Sequence, residues 1–256
     1  MLKKVFFSVL VIFLAGCATT NVESTLHIAE DYNGIDHDKR IFLLPATTSH
    51  QLSISIGDLE QESQQIVHLI SEELVAKGWQ VATMSDSNFR ELWSTVTAQV
   101  GGIYSSETGR IDSDKYAAAM YQLITIINKN ETYAAVIQPE LVIRNADLTG
   151  KHAKWDGVLV KTIDKGARAR DVSWSGGTRG ISLRVSAYDY SPKWLFTSYG
   201  GLALPWATII SFQDPEPEVR DDIFSDTQEV KTGISVALKP LKTKQSYREE
   251  QQTAQQ

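Results

Sequence analysis

Ile41-Phe42-Leu43-Leu44-Pro45 is an uninterrupted apolar run that a proline closes. Proline has no backbone N–H to donate to a sheet, so this run predicts a short buried strand. Apolar residues then recur at helical spacing through residues 58–77, and Gly78 stands where a helix favours a left-handed cap. Residues 79–84 resume an extended pattern. We therefore predict a strand–helix–strand unit with parallel strands and a right-handed crossover.

Two more helices are predicted downstream of this unit. Asp86 or Ser87 can cap a helix that ends near Gln99. A polar group at residues 112–114 can cap another helix over residues 116–128, and its acids suit the positive end of the helix dipole.

From residue 133 the apolar period falls to two, which is typical of strands with one buried face. Pro139 allows either two short strands or one bent strand within residues 135–143. Further extended segments are predicted at residues 158–162, 167–174, 181–190 and 194–204. Ser191-Pro192-Lys193 predicts a hairpin turn between the last two segments, and Trp174-Ser175-Gly176-Gly177 predicts another hairpin turn.

Helical spacing returns in residues 223–241 and predicts a closing helix. The complete order is an N-terminal βαβ unit, two helices, an antiparallel β-meander and a C-terminal helix. It predicts a single α+β or mixed α/β domain over residues 39–241. The polar, glutamine-rich residues 242–256 predict a disordered tail.

Composition excludes several classes of protein. The chain has 256 residues, of which 42% are hydrophobic and 22% charged, so it is neither a disordered nor a fibrous protein. Its formal net charge of -6 argues against nucleic acid as a partner. Cys17 is the only cysteine, and no disulfide can therefore form within the chain.

The N-terminus has the pattern of a bacterial export signal. Two lysines precede an apolar run at residues 5–14 that is too short to span a bilayer. The following Leu14-Ala15-Gly16-Cys17 resembles the lipobox of bacterial lipoproteins. The resemblance implies removal of residues 1–16 as a signal peptide and attachment of diacylglycerol to the sulfur of Cys17.

The lipobox resemblance also implies a location. Ala18 follows the cysteine, where lipoproteins retained in the inner membrane usually carry aspartate. In a Gram-negative cell this implies an outer-membrane lipoprotein with its body in the periplasm. Residues 17–38 are polar and are predicted to form a lipidated tether between the bilayer and the domain.

A second resemblance concerns the body of the chain. Leu43-Leu44-Pro45, the long helix that ends in Lys77-Gly78-Trp79, and the strand that follows resemble the βαβ start of certain periplasmic lipoproteins. These lipoproteins are related to the TolB N-terminal domain and to the curli secretion protein CsgG. The resemblance covers about residues 40–130 and implies an accessory role in secretion, envelope assembly or cell-wall synthesis. It carries over no functional residue.

Specific catalytic motifs are absent from the sequence. It contains neither a Gly-x-Ser-x-Gly elbow nor a phosphate-binding glycine loop. His68 and Glu72 share a helix face, but no second histidine stands at ligand spacing, so we predict neither a metal nor a cofactor. Glu140, Asp147 and Asp156 could pair across a sheet as in a glycosidase, which their spacing leaves open.

Charge is distributed unevenly along the chain. Residues 144–184 carry nine lysines and arginines against four aspartates, whereas residues 214–229 carry seven acids and one arginine. Such a separation predicts a surface for an anionic partner. The alternative is that these charges pair with each other or are solvated.

Within the basic segment, Arg168, Arg170 and Arg179 are the predicted binding residues. Trp155 and Trp174 are the predicted contacts for sugar rings or a protein groove.

These patterns favour a non-enzymatic, lipid-anchored accessory protein of the cell envelope. Its partners would be the outer-membrane bilayer and an envelope protein or an anionic glycan. Two alternatives remain: a hydrolase that acts on wall or surface polysaccharide, and a subunit of an oligomeric secretion channel.

Overall fold

The computed structural model describes residues 25–57, 59–129, 131–166, 169, 172–210 and 214–254. In these residues the chain has an α+β fold, which confirms the predicted class. The first half contains, in chain order, β1 (Leu26–Ile28), β2 (Ile41–Leu43), β3 (Thr47–Thr48), α1 (His50–Ile56), α2 (Glu60–Ala76), β4 (Val81–Thr83), α3 (Asp86–Gln99) and α4 (Ser113–Ile127). The second half contains β5 (Ala135–Gly150), β6 (His152–Trp155), β7 (Val158–Lys161), β8 (Asp164–Lys165), β9 (Trp174–Tyr188), β10 (Trp194–Ala203), β11 (Trp206–Ile209), β12 (Glu216–Val219), α5 (Thr227–Ala237) and α6 (Lys244–Ala254).

The main sheet joins a parallel half to an antiparallel half. Its central order is β1-β10-β9-β5-β2-β4. β2 is parallel to β4 on one side and to β5 on the other, so the parallel pairing predicted for the strand–helix–strand unit is confirmed in β2 and β4, with α2 between them in the chain. The remaining strands β9, β10 and β1 pair antiparallel.

The predicted helices α3 and α4 are also confirmed, with one difference at a cap. Ser85, and neither Asp86 nor Ser87, caps α3, because its hydroxyl accepts the N–H of Asn88 at 3.3 Å. Asp112 caps α4, as its position after a loop predicts.

β5 is one strand of 16 residues and not a pair of short strands. The carbonyls of Ile137 and Leu141 accept hydrogen bonds from Leu44 and Ser49, which flank β2 and β3. Pro139 lies between these two acceptors, where β5 passes from one partner to the other. The backbone N–H that proline lacks would therefore have pointed between β2 and β3 and not at either strand. For this reason β5 continues past Pro139.

The hairpin turn predicted at Trp174-Ser175-Gly176-Gly177 is wrong. These residues begin β9 and pair in register with residues 147–150 of β5. Gly176 has a φ of 107°, a conformation that glycine adopts without strain. The glycines thus allow an irregular start to the strand, and the chain does not reverse there. The turn predicted at Ser191-Pro192-Lys193 is confirmed between β9 and β10.

Helices cover both faces of the main sheet. Side chains alternate along β5, so Ile137 joins the core under α2 and α5, while Val136 joins the core under α3 and α4. A third and smaller apolar cluster lies under the β6–β7 hairpin, around Trp155. No helix among the residues described here is long and apolar enough to cross a bilayer.

Helix α5 approaches β10 through glycines. A Cβ atom on Gly200 would lie 1.9 Å from the carbonyl oxygen of Gly233, and a Cβ on Gly233 would lie 1.9 Å from that of Gly201. No side chain fits at this crossing, so glycine at these positions sets the distance between helix and sheet.

The boundaries predicted for the tether and the tail need correction. Residues 25–38 belong to the fold: β1 pairs with β10, and the buried Tyr32 donates its hydroxyl to the carbonyl of Pro240 at 2.7 Å. Ile35 forms a β-bridge with Thr243, which leads into α6 in place of a disordered tail. Apolar side chains at positions 32 and 35 explain the difference, because their burial anchors an otherwise polar segment. Residues 17–24 of the predicted tether lie outside the described residues.

Replacing Gly200 with alanine tests the glycine crossing. The new methyl group would overlap the backbone of α5, and overpacking of this kind costs about 1–3 kcal/mol of unfolding free energy. Urea unfolding measures the loss. Gly177→Ala is the matched control, because its Cβ would meet its nearest atom at 3.8 Å. Equal stability of the two variants would contradict the close approach.

The buried phenol of Tyr32 should make the free energy of unfolding decrease at high pH. Burial raises the pKa of Tyr32 to about 12, whereas an unfolded tyrosine has a pKa of about 10. The neutral phenol therefore stabilises the fold fully below about pH 10, and this contribution is lost as the pH rises towards about 12. Tyr32→Phe should cost about 1 kcal/mol at pH 7 through the lost hydrogen bond and should lose less stability than the wild type above pH 10.

Chemical denaturation at pH 7, 10 and 11 measures both effects. Tyr121→Phe is the control, since this side chain is exposed. Parallel pH profiles for the wild type and Tyr32→Phe would contradict the role given to the buried phenol.

Candidate functional site

A cleft of about 400 Å³ opens beside the distal end of the β5–β9 ladder, where it meets a small second sheet. The residues that line it are Trp174, Trp206, Arg179, three threonines and two prolines, together with aliphatic residues. We call this the tryptophan cleft. Its volume lies in the range of small-ligand pockets, and its lining is mostly apolar with a few polar groups, as such pockets usually are.

The second sheet supplies one wall of the tryptophan cleft. β11 is its central strand, antiparallel to β12 and parallel to β8. Trp206 and Thr208 are two residues apart on β11 and so share a face, and Pro217 lies opposite Thr208 in the register. These three residues therefore present one side of the sheet to the cleft.

Trp174 is held in place by a hydrogen-bonded carboxylate. Its indole N–H donates to Oδ1 of Asp164 at 3.0 Å. The other oxygen, Oδ2, accepts the hydroxyl of Thr162 at 3.1 Å. Thr162 thus holds the carboxylate of Asp164, and the carboxylate in turn holds the indole ring. This contact pre-organises the aromatic surface.

Arg179 borders the tryptophan cleft, but the unbroken pairing of β9 with β5 places its side chain on the face of the strand opposite Trp174 and Thr178. It lies on β9, its side chain is exposed, and among the described residues it makes no ion pair. The acids of β12 point away, because Glu216 and Glu218 alternate with the two prolines that line the cleft. Glu218 is moreover paired with Lys165 at 3.2 Å.

The structure separates the residues that the sequence grouped as a binding surface. Arg179 and Trp174 line the same cleft. Trp155 is buried, so its prediction as a ligand contact is wrong. Arg168 and Arg170 lie outside the described residues, as does Cys17.

Much of the basic segment is neutralised locally. Arg144 pairs with Asp156, Arg184 with Glu140, and Lys165 with Glu218. The alternative of mutual pairing therefore holds for Arg144 and Lys165, whereas Arg184 pairs with an acid outside the two charged segments. Glu140 and Asp156, two of the acids considered for a glycosidase, each face an arginine in these pairs.

Trp206 was not predicted as a site residue. It lies on β11, a strand that the sequence did not predict. Pro205, directly before it, was the available signal, because proline favours the first residue of a new strand.

A buried polar cluster lies next to the tryptophan cleft, under the β6–β7 hairpin. Asp156 accepts hydrogen bonds from Arg144 at 3.0 Å and from the hydroxyl of Ser182 at 2.6 Å. Ser182 in turn accepts the indole N–H of Trp155 at 3.1 Å. The guanidinium of Arg144 lies 4.1 Å from the ring centre of Tyr199.

The turn chemistry explains why an aspartate is buried there. Asp156 and Gly157 have φ values of 36° and 80°, so both central residues of this two-residue hairpin have positive φ. Asp-Gly is a preferred sequence for such turns, and it is a signal that sequence reasoning missed. Ser182 is fully buried, which indicates that its contact with Asp156 pins the hairpin to the sheet.

The histidine–glutamate pair on α2 is joined by a lysine, since Oε2 of Glu72 lies 3.1 Å from Nζ of Lys231. Nε2 of His68 lies 3.3 Å from Glu72, and both side chains are well exposed. In the part of the chain that the structure describes, no group of three or more His, Cys, Asp or Glu side chains is placed to hold a metal ion.

No protein-family model matches the chain, and no curated protein is significantly similar to it. The resemblance to the lipoproteins related to TolB and CsgG therefore stays a prediction.

Replacing Asp156 with asparagine tests the buried cluster. The change removes the charge of the buried carboxylate that faces the guanidinium of Arg144, and breaking a buried ion pair on one side costs about 3–5 kcal/mol of unfolding free energy. Urea denaturation should show this loss, whereas Asp147→Asn, at an exposed position of β5, should change the midpoint little. Similar midpoints for the two variants would show that the pair does not hold the hairpin.

Proposed function

We propose that this chain is an outer-membrane lipoprotein whose periplasmic body binds another component of the cell envelope through the tryptophan cleft. It would act as a non-enzymatic accessory in envelope assembly, secretion or wall synthesis. The observation that carries this proposal is the cleft itself, which two tryptophans line, one of them fixed by a hydrogen bond to a carboxylate. Rigid aromatic surfaces with a charged group at their edge are typical of binding sites.

The arrangement of the cleft favours binding over hydrolysis. The carboxylate that is hydrogen-bonded to Trp174, that of Asp164, has both oxygens engaged, one by Trp174 and the other by Thr162. A glycosidase of the common type needs two carboxyl groups free to face the scissile bond.

The position of the first strand supports a short connection to the membrane. β1 lies at the edge of the main sheet. Cys17 and Thr25 are eight residues apart, which an extended chain spans in at most about 28 Å. A lipid on Cys17 would thus confine the body to a thin layer at the bilayer surface.

The proposed mechanism is confinement of the body at the membrane surface by its lipid. Acyl chains contribute about 0.8 kcal/mol for each buried CH₂, so two or three chains hold a protein on a membrane stably. Anchoring raises the effective concentration of the cleft towards partners in the same layer without any new contact.

The anchor is tested by variants at two neighbouring residues. The wild type should incorporate labelled palmitate, lose residues 1–16 and fractionate with the outer membrane. Cys17→Ser should take up no label, because the acceptor thiol is gone. Ala18→Asp is the matched control: it should keep the label but move to the inner membrane.

Crosslinking in intact cells, followed by purification, then tests the accessory role. A partner should be recovered with the wild type and lost with Ala18→Asp, which has the same lipid in the wrong membrane. Absence of palmitate on the wild type would contradict the anchor. Recovery of no partner, together with ring formation or degradation of wall fragments by the purified protein, would favour the channel or the hydrolase instead.

A further inference from the structure

We infer that the tryptophan cleft takes an organic cation on an aliphatic stem, of the kind that a lysine side chain or a free alkylamine presents. This inference deepens the proposed function and rests on it for the use of the cleft. It is drawn from three features: a carboxylate on the cleft side of the second sheet, the two tryptophans, and the apolar remainder of the lining.

The face of the second sheet that borders the cleft carries Asp164. Thr208 of β11 pairs in register with Asp164 of β8 and with Pro217 of β12. Thr208 and Pro217 both line the cleft, and residues paired in register lie on the same face of a sheet. Asp164 therefore lies on the cleft face. Its hydrogen bond with Trp174, which also lines the cleft, agrees with this position.

The charge of this carboxylate is not neutralised within the part of the chain that the structure describes. Its two hydrogen-bond donors, the indole N–H of Trp174 and the hydroxyl of Thr162, are both neutral. The neighbouring cation, Lys165, lies on the other face of the sheet and pairs with Glu218 at 3.2 Å. A carboxylate can accept about four hydrogen bonds, so Asp164 keeps acceptor positions for an incoming cation.

The tryptophans add a second attraction for a cation. The face of an indole ring is negative, and tryptophan is the side chain on which cations bind best. Trp174 and Trp206 line the cleft from two different sheets. Arg179, the cation that borders the cleft, projects from the face of β9 opposite Trp174 and so does not supply this charge.

The rest of the lining suits an aliphatic stem. Leu148, Ile163 and Leu204 line the cleft together with two prolines. Long basic side chains bury their methylene groups along apolar surface while the charged end stays at a polar group. A volume of about 400 Å³ lies at the lower end of the range for ligand pockets and is enough for one such chain.

Nuclear magnetic resonance of the indole N–H groups tests this inference on the full chain purified in detergent. The cationic probe is Nα-acetyl-lysine N-methylamide. The matched neutral probe is Nα-acetyl-norleucine N-methylamide, which has the same aliphatic stem and lacks the ammonium group. The cationic probe should shift the indole resonance of Trp174 and bind about tenfold more tightly than the neutral probe, because charge-assisted hydrogen bonds and cation–π contacts are open only to the ammonium group.

Two variants assign the contacts, and a third is the control. Asp164→Asn keeps an oxygen for the indole N–H of Trp174 but removes the charge, so it should weaken the cationic probe about tenfold and leave the neutral probe unchanged. Trp206→Leu should weaken both probes, and urea midpoints show whether both variants remain folded. Glu216→Gln removes the same charge from the opposite face of β12 and should change neither affinity.

Equal affinity of the wild type for both probes, or an unchanged cationic affinity in Asp164→Asn, would overturn the inference. So would failure of both probes to bind. Titration with n-butylammonium separates the two sources of the cation: tighter binding of the lysine probe supports a side chain of a peptide segment, and tighter binding of n-butylammonium supports a free amine.

The proposed function is judged separately, because palmitate labelling and partner capture in cells do not depend on these probes. A partner captured in cells without binding of either probe in vitro would keep the accessory role and remove the cationic ligand.

Discussion

Strand β5 pairs with a parallel strand on one side and with an antiparallel strand on the other, and the fold depends on this double pairing. At its start it pairs in parallel with β2, and along its whole length it pairs antiparallel with β9. Its alternating side chains enter the two cores on opposite faces of the sheet, under α2 and α5 on one side and under α3 and α4 on the other. The same ladder then extends beyond both cores and supports the tryptophan cleft at its far end.

This extension explains why the site is partly exposed while the body is tightly packed. Among the described residues, no helix contributes to the apolar cluster at the far end of the ladder, where the β6–β7 hairpin covers one face. The hairpin is held by the buried pair of Arg144 and Asp156 and by Trp155 lying against Gly180 and Gly201. Since a one-residue slip of register would move every side chain to the other face, the long ladder also fixes which residues reach the cleft.

The sequence predicted the elements whose signals are local. The apolar run at residues 41–44, the helical period after it and Gly78 together specify β2, α2 and β4. Prediction failed where a distant partner decides the structure. The glycines at 176 and 177 suggested a turn, but β5 pairs with them from 30 residues earlier in the chain. For the site, Trp174 and Arg179 were found through local composition, whereas Trp206 required knowledge that a second sheet folds against the first.

The central claim is that the distal end of the ladder is the binding surface of the protein. Hydrogen–deuterium exchange tests it directly, by comparing the lipidated protein on isolated cell envelopes with the detergent-purified protein. The account predicts slower exchange on the envelopes at residues 162–165 and 206–209, which flank the tryptophan cleft. Unchanged exchange in these segments, with protection at α3 and α4 instead, would contradict it.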